Sequence, residues 1–143
     1  MPTNAEPLLL DTSAAIAYVD PDHAFHAAVR QRVDGRRLGL AGHAQFETFS
    51  VLTRLPAPKR QSGREAARLI AAEFPEPRFA SPAEQADLVA QFADAGVVGG
   101  AVYDGLVAAA ARAHDLTLVT CDSRAQPVYA ALRVRHLMVA APL

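Results

Sequence analysis

Four acidic residues stand out by where they fall: Asp11, Glu47, Asp104 and Asp122. In PLLLDTSA (7–14) and LVTCDSRA (118–125) an apolar run ends directly on an aspartate. A carboxylate at the rim of a core costs several kcal/mol unless something pairs with it. Glu47, in HAQFETFSVL, and Asp104, in GGAVYDGLVAA, are lone acids in otherwise apolar windows. Each of these two, taken singly, also reads as a helix-end charge, because a helix N-terminus favours negative side chains. Taken together, the four suggest one shared cleft, with Phe46, Tyr103 and Val107 expected to point inward beside Glu47 and Asp104. Converging carboxylates repel one another and take up protons unless a cation holds them. Oxygen donors without cysteine or a histidine pair select Mg2+, or alternatively Mn2+, over zinc and copper. Such ions activate water and stabilise a leaving oxygen, so the chemistry indicated is phosphodiester hydrolysis.

Positioning these acids requires strands and helices in alternation. Leu8 to Leu10 reads as a short strand ending at Asp11, followed by a helix to about Tyr18 for which Thr12 and Ser13 offer capping hydroxyls. VDPDH reads as a turn, Ala24 to Val33 as a helix, and LGLAG (38–42) as a second strand. A helix is expected from about Ala44 to Leu55, stopped by Pro56, and another from a Ser62–Glu65 capping box to about Phe74. A weak third strand is expected around Arg78 to Ala80, then one helix from Ser81 and Pro82 to about Ala95. GVVGG is a loop, Tyr103 to about His114 a long helix, LTLVT the most strand-like segment, Pro127 to Leu132 a short helix and VRHLMVA a last strand. Such alternation indicates an α/β fold with a mainly parallel sheet, because parallel neighbours need helical crossovers. Ligands bind beyond the carboxyl ends of strands in such sheets, the edge on which Asp11 and Asp122 should both open.

The totals agree with a soluble globular protein. The 143 residues fit a single domain (1–143), 51% are hydrophobic and 20% charged, and the net charge is −1. Near-neutrality leaves no global footprint for nucleic acid, so a polyanion must be held by local basic residues or by metal ions. Cys121 is the lone cysteine, which excludes an internal disulfide and, with an N-terminus that lacks a signal-peptide pattern, leads to the expectation of a cytoplasmic protein. No apolar run approaches the roughly 20 residues of a membrane span, so no membrane association is expected.

The order and context of LLLDTS, FETFSVLTRL, YDGLVAAAA and LVTCD resemble the PIN-domain ribonucleases, and the short chain resembles the VapC-type toxins of prokaryotic toxin and antitoxin pairs. The likeness runs from Leu8 to about Val139. It implies a three-layer α/β/α domain with a central, mainly parallel sheet of four to five short strands. It also implies a metal-dependent endoribonuclease that cuts transfer or ribosomal RNA and thereby inhibits translation and growth. Residue by residue, Asp11, Glu47, Asp104 and Asp122 match the family's Mg2+ or Mn2+ ligands and catalytic acids, Asp122 acting directly or through water. Thr12, Ser13 and Thr120 match the hydroxyl neighbours that bond carboxylates, waters or phosphate. Cys121 and Ser123 stand where many relatives carry a basic residue, so phosphate contact near the fourth acid passes to Arg124. The resemblance further implies a homodimer and a cognate VapB-type antitoxin whose chain covers the acidic cleft.

Other residues are open to plainer readings. RLPAPKRQSGREAAR (54–68) is the densest basic segment, and Arg54, Lys59 and Arg60 are candidates for RNA contact or for a solvated or partner-binding surface. Arg112 reads as a surface arginine, with an antitoxin carboxylate as the other option. His43, four residues before Glu47, suits a capping or surface role, since no HExxH motif is present. His23 and His26 are expected to be exposed, and Cys121 to be a bystander. A phosphatase of the haloacid dehalogenase type would need an acid two residues after Asp11, where Ser13 stands. A PIN-like module that binds RNA or protein without cutting is the alternative from another class.

Overall fold

The computed structural model describes residues 5–140; the single-domain reading of 1–143 and the reading of the first residues as no signal peptide extend outside them. Four three-residue strands, β1 (Leu8–Leu10), β2 (Leu38–Leu40), β3 (Leu118–Thr120) and β4 (His136–Met138), form an all-parallel sheet in the order β2-β1-β3-β4. Every residue of β1 and β3 is buried, and neighbouring side chains on a strand point to opposite faces. Both faces of the sheet centre are therefore covered, which is the three-layer α/β/α arrangement expected of parallel strands joined by helical crossovers.

The helices are α1 (Thr12–Val19), α2 (His26–Arg32), α3 (Ala44–Thr53), α4 (Gly63–Glu73), α5 (Pro82–Ala86), α6 (Leu88–Ala95), α7 (Ala101–Ala113) and α8 (Gln126–Ala131). Helices α4 and α5 both begin with capping boxes, the expected one at Ser62–Glu65 and a second at Ser81–Glu84. Helix α7 opens at Ala101, earlier than Tyr103, so Asp104 still lies in its first turn. Ala108 to Ala111 are buried nearly completely, and Gly105 lets the helix lie against α6, where a Cβ would stand 2.8 Å from the Phe92 ring.

Two expectations are corrected. The segment Arg78 to Ala80 is not a strand; it makes one isolated bridge, Ala41 to Arg78. The Glu76 and Arg78 amides donate to the carbonyls of Leu38 and Leu40 at the edge of β2, and among the described residues the backbone past Arg78 makes no further bond to that strand, so pairing stops where the expected strand would begin. That close approach needs Gly39, because a Cβ there would stand 1.8 Å from the Glu76 carbonyl oxygen. The helix expected over Ser81 to Ala95 is broken at Asp87. Its first piece, α5, buries no residue, whereas α6 seats Leu88 and Phe92 in the core.

Candidate active site

Strand β1 delivers Asp11 to the carboxyl edge of the sheet, where its amide donates to Val119 at 3.1 Å. Asp11 is itself the N-cap of α1, accepting from the Ala14 amide, so Thr12 and Ser13 are the first helical residues and not the cap. The Asp11 side chain is only 4% exposed. Three donors hold it: Ser13 Oγ at 2.6 Å and Ala14 N at 3.0 Å on Oδ1, and the Tyr129 hydroxyl at 2.8 Å on Oδ2. Burial pushes the Asp11 carboxyl up, and these hydrogen bonds, together with the Thr120 hydroxyl, work against it. Burial and the Asp11 charge push the Tyr129 phenol up as well, which keeps it protonated and donating.

Strand β3 delivers the second edge acid. Thr120, fully buried, accepts the Asp122 amide on its hydroxyl at 3.0 Å and lies 3.4 Å from Ser13 Oγ. Ser13 Oγ also accepts the Cys121 amide at 2.9 Å. Ser13 and Thr120 thus tie the ends of β1 and β3 together directly beneath the two aspartates. Asp122 accepts from the Arg124 amide at 2.9 Å and from Arg124 Nε at 3.3 Å.

Glu47 and Asp104 reach the same place from the first turns of α3 and α7. One cleft of about 210 Å³ is lined by Asp11, Thr12, Ser13, Glu47, Asp104, Val107 and Asp122. The Asp104 carboxyl is pushed up to about 6, first by burial and then by the charges of Asp11, Asp122 and Glu47, with Arg124 opposing. Asp104 therefore senses all three other acids in a cleft short of positive charge.

These residues fit a divalent cation by their chemistry. The donors are all oxygen, and Thr12 Oγ1, buried at the cleft, has no hydrogen-bond partner within the protein. Among the described residues no three acidic, histidine or cysteine side chains are gathered tightly enough to close a coordination shell on their own. A small hard ion such as Mg2+ suits such a cleft, because it keeps several waters and takes only one or two carboxylates.

Other candidates fall elsewhere. Lys59 is paired with Asp20 at 2.9 Å and Asp22 at 3.1 Å, and Arg60 Nε donates to the Leu55 carbonyl. Arg54 sits at the exposed C-cap of α3, away from the cleft lining. Arg112 bonds the Leu132 carbonyl and Gln91. Val107 is buried as expected, but Phe46 and Tyr103 are 64% and 56% exposed, so neither points inward. They occupy helix faces that turn away from the sheet. His43 makes no capping bond and stacks on Tyr103, with ring centroids 5.1 Å apart. His23 and His26 are half-buried, because the first accepts the Phe25 amide and the second bonds the Ala17 carbonyl. Burial and Asp11 push the Cys121 thiol up to about 12, which keeps it protonated and unreactive. Tyr129 is the site residue that the sequence did not single out; its only signal was one hydroxyl in the apolar run VYAAL.

A four-stranded parallel sheet with four acids at its carboxyl edge defines the class, and residues 8–131 match the PIN domain family model. The chain belongs to the PIN-domain family. Among its relatives is Ribonuclease VapC27 of Mycobacterium tuberculosis, 44% identical over 94% of this chain and 98% of the relative. Ribonuclease VapC40 of the same species is 36% identical over 90% and 96%. Among solved structures, FitAcB from Neisseria gonorrhoeae matches with a TM-score of 0.63 at 22% identity, over 91% of this chain and 96% of that one. VapBC2 from Rickettsia felis, bound to a promoter DNA fragment, matches with a TM-score of 0.63 at 13% identity, over 93% and 98%. The chain is thus a PIN domain of the VapC type.

Proposed function

We propose that the chain, 1–143 as a single domain, is a divalent-metal-dependent endoribonuclease and the toxin of a toxin and antitoxin pair. The observation that carries this is the gathering of Asp11, Glu47, Asp104 and Asp122 in one cleft, with the Asp104 carboxyl pushed up to about 6 partly by the other three. Whole-length likeness to two proteins named as VapC ribonucleases supports the activity.

Asp11, Glu47 and Asp104 would hold one or two Mg2+ or Mn2+ ions, in part through bound waters, with Asp122 completing the donor set directly or through water. When bound, the cation supplies positive charge for the phosphate oxygens and lowers the pKa of water. The chain's own residues do the positioning. Ser13, Ala14 and Tyr129 fix Asp11, Thr120 fixes the backbone that carries Asp122, and the Thr12 hydroxyl is free to meet a phosphate oxygen or a water. Arg124, mostly exposed beside Asp122, supplies a cation for an approaching RNA backbone. Arg54 remains the second candidate for that contact, whereas Lys59 and Arg60 would first have to give up their present partners.

Transfer or ribosomal RNA is the proposed substrate, with arrest of translation as the consequence in the cytoplasm. The proposed partners are a VapB-type antitoxin and a second copy of the chain. The antitoxin partner rests on structural neighbours that are themselves VapBC and FitAB complexes. A homodimer is supported by exposed apolar residues such as Phe46, Val89 and Val98. Among the described residues no helix is long and apolar enough to cross a membrane.

Induced expression in a bacterial host tests the reading. Growth arrest with the wild-type chain and none with Asp11→Asn is the expected result. Equal growth of the two at equal protein level would overturn it.

A further inference from the structure

The hydrogen bonds around Asp11 restrict what its carboxylate can offer. A carboxylate has about four lone-pair sites, two on each oxygen. Oδ1 receives both Ser13 Oγ and the Ala14 amide, so its two sites are filled. Oδ2 receives the Tyr129 hydroxyl, so one site remains. The direction of the Ser13 bond is settled by its surroundings. Ser13 Oγ accepts the Cys121 amide at 2.9 Å, which leaves its single hydrogen to donate. The 2.6 Å separation from Asp11 is that of a short, charge-assisted bond, whereas Thr120 Oγ1 stands 3.4 Å away.

We propose that Ser13, by filling Oδ1 of Asp11, limits this acid to one-oxygen coordination and so sets the cleft's preference for Mg2+ over Ca2+. The inference rests on the divalent-metal reading above and concerns which ion that cleft accepts. Mg2+ demands near-octahedral geometry, keeps several waters and is content with single carboxylate oxygens. Ca2+ gathers six to eight oxygens and often takes both oxygens of one carboxylate. Asp11 cannot give both while Oδ1 is filled. Ser13 is therefore a positioning residue that acts through Asp11. Its place is assured by the link between β1 and β3, where it bonds partners 2 and 108 positions away in the chain.

Ser13→Ala removes the donor and frees one Oδ1 site at the second position of α1, where alanine suits a helix. Calorimetric titration of the purified full chain with MgCl2 and with CaCl2 measures both affinities without recourse to activity. The expected result is that the ratio of the Ca2+ to the Mg2+ dissociation constant falls roughly tenfold in Ser13→Ala, on the scale usual for groups that orient a ligand. Ser13→Thr, which keeps the hydroxyl, should restore the ratio. A merely structural loss would weaken both ions alike and leave the ratio where it was, which would overturn the proposal. If Ser13→Ala does not fold, Ser13→Cys, with a much weaker donor of similar size, should lower the ratio in the same sense, and an unchanged ratio there is equally contrary. Wild-type protein that binds neither Mg2+ nor Mn2+ would defeat the metal-dependent reading itself, and this proposal with it. Wild-type binding with unchanged selectivity in Ser13→Ala would defeat this proposal alone.

Discussion

Tyr129 and Asp11, 118 positions apart in the chain, meet in a buried hydrogen bond of 2.8 Å at the carboxyl edge of the sheet. The bond joins α8 to the end of β1. It helps a carboxylate that is 4% exposed to stay in place, since burial alone favours its neutral form.

Tyr129→Phe keeps the ring and removes the donor, leaving a buried carboxylate oxygen short of a partner. The expected cost is about 1–3 kcal/mol of folding stability. Urea denaturation of the metal-free protein reads this as a lower midpoint with an unchanged slope. A midpoint equal to that of the wild type would show that the bond contributes nothing.

The Asp104 carboxyl lies at about 6 in the folded chain against 3.8 as the ordinary value. The folded state therefore binds this proton more tightly than the unfolded chain does. Below about pH 3.8 the group is neutral in both states, and stability falls as pH rises from there to about 6. Asp104→Asn removes that loss. The side chain is partly exposed, so the discounted gain for the metal-free variant near pH 7 is about 1 kcal/mol, absent at pH 3.5. Calorimetric melting at the two pH values tests this. A stability difference between variant and wild type that does not change with pH would contradict it.

Thr48 is fully buried in α3, and its hydroxyl has no hydrogen-bond partner within the protein. Valine has the same shape without the polar atom. Thr48→Val should therefore raise stability, by about 1 kcal/mol. A lower melting temperature would mean that the hydroxyl has a bonding role.

Much of this architecture is written locally. LLL before Asp11 and LVT shortly before Asp122 are short, fully buried strands, and parallel pairing follows from the helical segments between them. Asp11, Glu47, Asp104 and Asp122 could be assigned to one cleft because each falls at a strand end or in a first helical turn. What depends on distant partners was not legible. The near-strand at Arg78 depends on how far the segment before it runs along the edge of β2, where only the Glu76 and Arg78 amides bond it. Lys59 is occupied by Asp20 and Asp22 from a turn 39 and 37 positions earlier, a pairing no local pattern records. Tyr129 looked like one more residue of a short apolar helix. Phe46 and Tyr103 looked like core, because their neighbours in sequence are apolar, yet their own faces of α3 and α7 turn outward.

The most direct test is cleavage-end sequencing of total cellular RNA incubated with purified protein and Mg2+, beside Asp104→Asn protein prepared in the same way. The account predicts discrete new ends with the wild type that are absent with Asp104→Asn and absent when the metal is chelated. Identical end profiles for the two proteins, in Mn2+ as well as in Mg2+, would contradict it.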